Sequence, residues 1–443
     1  MHKSLTNGNI AKSLLIFSLP IILGNLIQQL YNIVDTLIVG KIIGATALSA
    51  VGSSYSLMVL LTSVILGLCM GSGVVFAQIF GAGKTDELKT SIFNSFVFIM
   101  VVSFAINVIS LLLLKKIIIW LNIPNEAVGF TFDYLKIIFV GLVFVSIYNF
   151  FASVLRSIGN TVVPLVFLAV SAVTNIILDI VFIVNFHMGV KGAAMATVIS
   201  QMLSAVLIII YFFIKAKNIC PQKEHMHYDK KLLGMIVSNS SLTAIQQSIM
   251  NFGILTVHSL VNSFGFAVSA AFAAVVKIDA FAYMPAQDFG NAFSTFIAQN
   301  YGAKKQDRIH KGIWTAVKIS LVFCLISSAF VCLFSKQLML LFVKFNETEI
   351  INIGVKYLHI EGAWYVGIGI LFLLYGFYRG LGKAGMSIIL TVISLGSRVA
   401  LAYILSASSM GVSGIWWAVP IGWALADVFG IVYYFVNRKN LTP

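Results

Sequence analysis

Two carboxylates lie inside stretches long and apolar enough to cross a bilayer. Asp35 is near the end of SLPIILGNLIQQLYNIVDTLIVG, residues 18–40, and Asp179 is within VPLVFLAVSAVTNIILDIVFIVN, residues 163–185. A charged side chain at the centre of a membrane helix costs roughly 2.5–3.5 kcal/mol, so each is expected to have a function. Ser171, Asn175 and Asp179 recur at i, i+4 and i+8 and form one polar stripe on a helix. Asp179 precedes the hairpin apex near Met188 by nine residues and Thr197 follows it by nine, which puts them at similar depth. Asp35 also falls a few residues short of a loop. Two acids in apolar surroundings cannot both stay ionised cheaply, so the pair takes up a proton or holds a cation. Oxygen-only ligands suit a hard ion such as Na⁺, whereas a soft metal would call for Cys or His. Asp35, Asn175, Asp179 and Thr197 are therefore the candidate cation site, as metal ligands if the ion is Na⁺; the alternative is that the acids only bridge helices. Pro20, on the same span as Asp35, removes a backbone donor and offers a bending point roughly 22 Å away along the helix.

The segments that must position these groups dominate the chain. It has 443 residues, 59% hydrophobic and 10% charged, with a mean hydropathy of +0.98, far from soluble composition. Twelve spans are expected, near 14–38, 48–78, 91–114, 130–154, 162–185, 191–214, 236–261, 269–299, 312–334, 355–378, 386–407 and 413–436. No hydrophilic run is long enough for an appended soluble domain. The first span is too long for a signal peptide and is expected to be retained. Cys69, Cys220, Cys324 and Cys332 show no metal or redox spacing. The net charge of +14 does not imply nucleic acid, because the basic residues segregate by loop: 18, Lys3, Lys84, Arg156 and Arg379 among them, fall on the N-terminal side and seven on the other. Both termini are expected in the cytoplasm, with anionic lipid as a secondary contact.

The two halves repeat. FAQIFGAGKTDELKTSI at 76–92 aligns with FIAQNYGAKKQDRIHKGI at 296–313, placing Gln78 over Gln299 at an offset of 221. RSIGN at 156–160 aligns with RGLGK at 379–383, and MGVKG at 188–192 with MGVSG at 410–414, at offsets of 223 and 222. Six spans per copy give an all-α polytopic membrane protein: 12 transmembrane helices as two six-helix bundles related by a pseudo-twofold axis along the membrane normal. The expected division is an N-terminal bundle at 1–214, a cytoplasmic linker at 215–235 and a C-terminal bundle at 236–443. His225 and His227 in the linker are lone histidines rather than a metal pair. GAGKT at 81–85 lacks the first glycine of a phosphate loop and reads as a turn.

The acid pair has no copy in the second half, which carries Lys277, Asp279, Asp288, Glu361, Arg398 and Asp427 instead. Lys277 with Asp279, or Arg398 with an acid, are candidate internal salt bridges. Asp288, beside Met284 and Gln287, is the best candidate there for drawing a cationic ligand. Gln28, Asn32 and Asn149 are candidates for lining a cavity in the first half, though periodicity leaves their facing open.

In combination Pro20 with Asp35, AVG at 50–52, FAQIFGAGK at 76–84, RSIGNT at 156–161 and the Asn175, Asp179 and Thr197 set resemble the multidrug and toxic compound extrusion (MATE) family over essentially the whole chain. The resemblance implies two bundles around a central cleft, exporting cationic amphiphiles in exchange for Na⁺ or H⁺. It assigns the cation site to Asp35, Asn175, Asp179 and Thr197 with Tyr134 beside them, and the coupling motion to bending at Pro20. Family members with an acidic site on the seventh and tenth spans have acids where this chain has Met250 and Gly367, so the DNA-damage-inducible or Gram-positive multidrug type is nearer. The expectation is a monomeric antiporter of the cell membrane, with no cofactor beyond the coupling ion and no enzymatic activity. A flippase for lipid-linked saccharides is the alternative; HExxH and GxSxG motifs are absent.

Overall fold

The computed structural model describes residues 4–120, 123 and 125–441. Lys3, counted above among the basic residues, lies outside them. Among the described residues there is no strand. Six long helices make up the first half: α1 (Ile10–Ile38), α2 (Ala45–Gly81), α3 (Thr85–Trp120), α4 (Asn125–Ser157), α5 (Val162–Asp179) and α6 (Gly189–Lys215). The second half has α7 (Lys230–Asn262), α8 (Phe266–Gly302), α9 (Gln306–Leu333), the short α10 (Ser335–Leu340), α11 (Thr348–Gly362), α12 (Tyr365–Gly380), α13 (Ala384–Ser406) and α14 (Val412–Leu441). Among the described residues ten helices are long and apolar enough to cross a membrane, and α11 with α12, bent by 51° at their junction, make an eleventh if they form one span. The expected seventh span is present as α7, a 33-residue helix whose mean apolarity is lowered by Asn239, Ser240, Thr243, Gln246 and Gln247.

The duplication is visible in the backbone. Left-handed residues close equivalent turns in both halves: Gly44 and Gly265, Gly83 and Lys304, Gly159 and Gly382, Gly189 and Gly411. Position 83 shows why glycine belongs there, since φ is +73° at Gly83 and +55° at Lys304. The GAGKT segment is thus the turn between α2 and α3, tied by a Lys84–Glu87 ion pair of 2.8 Å.

Two compact units emerge, Leu19–Ala244 and Ser4–Ser18 with Ile245–Pro443. They differ from the division at 214 and 236 because the first helix of each half is shared. Residues 10–18 of α1 belong to the second unit, and residues 230–244 of α7 belong to the first. Pro20 stands two residues past the crossing in α1.

The first unit is held by apolar side chains around Phe76, Phe150, Phe151 and Phe212, with Phe150 and Phe151 edge to face at 5.3 Å. Its contact with α7 uses small residues: Cβ atoms at Gly67 and Gly71 would collide with the backbone of Ala244 and Asn239. At the same seam Ser72 Oγ lies 2.8 Å from both Ser240 Oγ and Ser95 Oγ. The segment from Ala216 to Asp229 packs on this unit. His225 is buried and its Nε2 lies 3.2 Å from Asp86 Oδ1, while Asn94 Nδ2 donates to the His227 carbonyl at 3.0 Å.

In the second unit Trp416, Phe272 and Tyr357 form an aromatic core, with rings 5.6 Å and 4.7 Å apart. Its N-terminal segment is clamped by α8 and α9. Arg308 donates to the carbonyls of Leu5, Asn7 and Gly8 at 2.7–3.1 Å, Lys305 to that of Thr6 at 2.8 Å, and Gln299 Oε1 accepts from the Leu5 N–H at 2.8 Å. In both units large apolar side chains such as Phe104 and Leu112, or Trp314 and Leu333, point outward, as lipid-facing helices require.

Candidate cation site in the first unit

The polar stripe of α5 turns inward. Ser171 Oγ donates to the Ser200 carbonyl at 2.8 Å, and Asn175 Nδ2 donates to Thr197 Oγ1 at 3.4 Å, so two of its three members bind α6. Thr197 in turn donates to the Ala193 carbonyl at 3.1 Å. The small residues Gly192, Ala193, Ala194 and Ala196 of α6 are all buried. Asp179 completes the stripe and is wholly inaccessible; its carboxyl faces that of Asp35 on α1, also buried.

The backbone changes at both acids. α5 passes after Asp179 directly into π-helix at Ile180–Asn185, and α1 passes into π-helix at Val39–Ile43, four residues after Asp35. These two segments pack on each other. A π turn rotates the side chains that follow it off the regular register, here those after the acids. Tyr134 of α4, buried, lies within electrostatic reach of both acids.

Asp35 Oδ1, Asn175 Oδ1 and both carboxyl oxygens of Asp179 are buried without a hydrogen-bond donor. Four orphaned acceptors in an apolar bundle fit a positive ligand, a proton between the carboxyls or a small hard cation among the oxygens. The oxygen-only donor set is chemically suited to Na⁺, and among the described residues no grouping of three or more His, Cys, Asp or Glu offers a site for another metal.

Asp35, Asn175, Asp179, Thr197 and Tyr134 therefore come together. Tyr31 joins them, unforeseen: it lies beside both acids and pairs with Gln28. Its spacing four residues before Asp35, with Gln28 three before that, is a one-face signal that could have found it. Of the other candidates, Asn149 donates to its own helix at Val145, 2.9 Å away, and Asn32 is half-buried on α1. In the second unit Gln287 lines a small polar cavity with Gln246, Met250, Asn291, Tyr375 and Arg379. Met284 is half-buried and Asp288 buried nearby on α8. The expected Lys277–Asp279 pair does not form. Lys277 is exposed, 5.9 Å above the Phe342 ring, while Tyr365 donates to Asp279, because residues two apart point to different sides of a helix.

A duplicated set of membrane-length helices in two compact units, one of them holding ionisable groups in its interior, defines a polytopic membrane protein of the repeat-built transporter class. The MatE family model matches residues 20–181 and again 243–404, and the chain belongs to that family of membrane transporters. It is 29% identical over 439 residues to the "Probable multidrug resistance protein YpnP" of Bacillus subtilis (strain 168), spanning 98% of this chain and 96% of that one. It is 23% identical over 443 residues to the "Multidrug export protein MepA" of Staphylococcus saprophyticus, spanning 98% and 96%. Its fold matches, at a TM-score of 0.93 and 22% identity over 99% and 98% of the chains, the solved "Outward-facing conformation of a multidrug resistance MATE family transporter of the MOP superfamily".

Proposed function

We propose that the chain is a secondary multidrug exporter of the cell membrane, moving cationic amphiphilic compounds outward in exchange for entering H⁺ or Na⁺. The observation that carries this reading is the facing Asp35 and Asp179 pair, whose orphaned acceptors sit inside a membrane-embedded bundle. The multidrug names of the similar proteins support the substrate class. Loading the pair neutralises buried charge, which removes the cost of holding two carboxylates together and favours a tighter α1–α5 approach. Pro20, whose missing N–H leaves the carbonyl of Ile16 without its helical donor, is the hinge. Each charge entering down 100 mV supplies about 2.3 kcal/mol to drive the opposite movement of substrate.

In this reading Gln28, Asn32 and Asn149 line the substrate path of the first unit, and Met284, Gln287 and Asp288 that of the second. The protein works as a monomer among membrane lipids, with both termini cytoplasmic. The test is dye efflux by purified protein in liposomes, with Na⁺ and pH gradients imposed separately. Efflux is expected to follow one gradient in the parent and to vanish in Asp179→Asn; full coupled efflux by the variant would overturn the assignment.

A further inference from the structure

The second unit buries an ionisable cluster that the first-unit site does not use. Asp279 of α8 and Glu361 of α11 are each 3% exposed. Tyr365 of α12 donates to Asp279, and Tyr357 of α11 lies beside both acids. Arg398 of α13 stands within electrostatic reach of both acids, yet its Nε is buried without an acceptor. Glu361 Oε2 is likewise buried without a donor. His258 of α7 and Tyr283 of α8 complete the titratable neighbours, and Trp416 of α14 closes the cluster against Tyr357.

We propose that Asp279 and Glu361, balanced by Arg398, form a second protonatable site that holds one proton on the carboxyl pair. Two carboxylates against one guanidinium leave one negative charge in a region inaccessible to water, and one proton cancels it. The geometry selects a proton rather than a metal cation. The Tyr365 phenol points its hydrogen at Asp279, occupying a lone pair a metal would need, and the guanidinium repels a second fixed cation. Glu361 Oε2, the acceptor left over, is where the proton resides.

The site straddles the broken span. Glu361 is in the last turn before the 51° bend and Tyr365 opens the helix after it. The Tyr365–Asp279 hydrogen bond therefore ties α8 to the far side of the break, and straightening it would withdraw the donor from Asp279. Proton occupancy and the bend are coupled through that bond, an arrangement suited to discontinuous membrane helices.

The experiment is infrared difference spectroscopy of the purified full chain in lipid nanodiscs, reading the C=O stretch of protonated carboxyls in H₂O and D₂O. Glu361→Gln is expected to lose one carboxyl's intensity, because Asp279 and Arg398 then balance. Arg398→Gln is expected to gain one carboxyl's intensity, because two acids are then left without a counter-charge. The Asp35→Asn/Asp179→Asn double variant is expected to keep the Glu361-dependent band. Unchanged intensity in Glu361→Gln, or a Glu361-dependent band that fades as Na⁺ is raised, would overturn the proposal. Should Glu361→Gln not run as a monodisperse protein, unchanged intensity in Arg398→Gln overturns it equally.

Discussion

Asp35 and Asp179 face one another across 144 residues of chain, Asp179 directly before a π-helical segment and Asp35 four residues before another. Neither Asp179 oxygen has a donor, so the gap suits a proton or a small hard cation. Asn175→Ala and Thr197→Ala remove polar groups beside the pair without removing an acid. Each is expected to lower coupling-ion affinity by roughly tenfold to 100-fold while maximal efflux stays close to the parent value. The ion-concentration dependence of dye efflux in liposomes checks this; unchanged half-saturation in both variants would remove Asn175 and Thr197 from the site.

The clamp on the N-terminal segment sets a stability expectation. Arg308 alone donates to three backbone carbonyls. A charged donor's hydrogen bonds contribute about 1.5–3 kcal/mol, so Arg308→Ala should lower the melting temperature measurably and make the first residues accessible to protease. Resistance to limited proteolysis equal to the parent's would mean that the clamp holds nothing in solution.

Equivalent turns carry different residues at 83 and 304. Lys304→Gly should stabilise by about 1 kcal/mol, because a left-handed lysine costs more than the added freedom of glycine. Gly83→Ala should destabilise by a similar amount. Opposite shifts in melting temperature are the expected reading, and shifts of the same sign would deny the equivalence.

Burial pushes the Cys220 thiol up, with Lys89 opposing. The thiolate is the reactive form, so in a variant retaining only this cysteine alkylation should be slow near pH 7 and accelerate only as pH rises past the ordinary thiol value of about 8.5. A rate already maximal at pH 7 would contradict the packing of the linker segment.

Much of this was legible in residue order. The i, i+4, i+8 stripe on α5 and the near-constant repeat offsets anticipate the meeting of Asn175, Asp179 and Thr197 and the paired turns. The π segments were not legible, because IVFIVN reads like any other apolar helix and VGKII falls past the expected end of the first span at 38. Nor was the sharing of α1 and α7 between units, since hydropathy marks where a helix crosses lipid, not which neighbours it meets. Lys277 misled because adjacency in sequence suggested a pair that helical geometry forbids. Tyr31 was missed although its spacing from Asp35 pointed to it.

The docking of Leu5 against Gln299 and Arg308 also orders events in time. At ribosomal speeds of about 5–20 residues per second, the partners of the first residues emerge roughly 15–60 s after them. The segment around Leu5 must wait, tethered to a helix already committed to its own unit at the other end, until about 300 further residues have been made. Its capture is thus a late step of assembly, and a chain stalled before α9 would leave its N-terminal segment undocked.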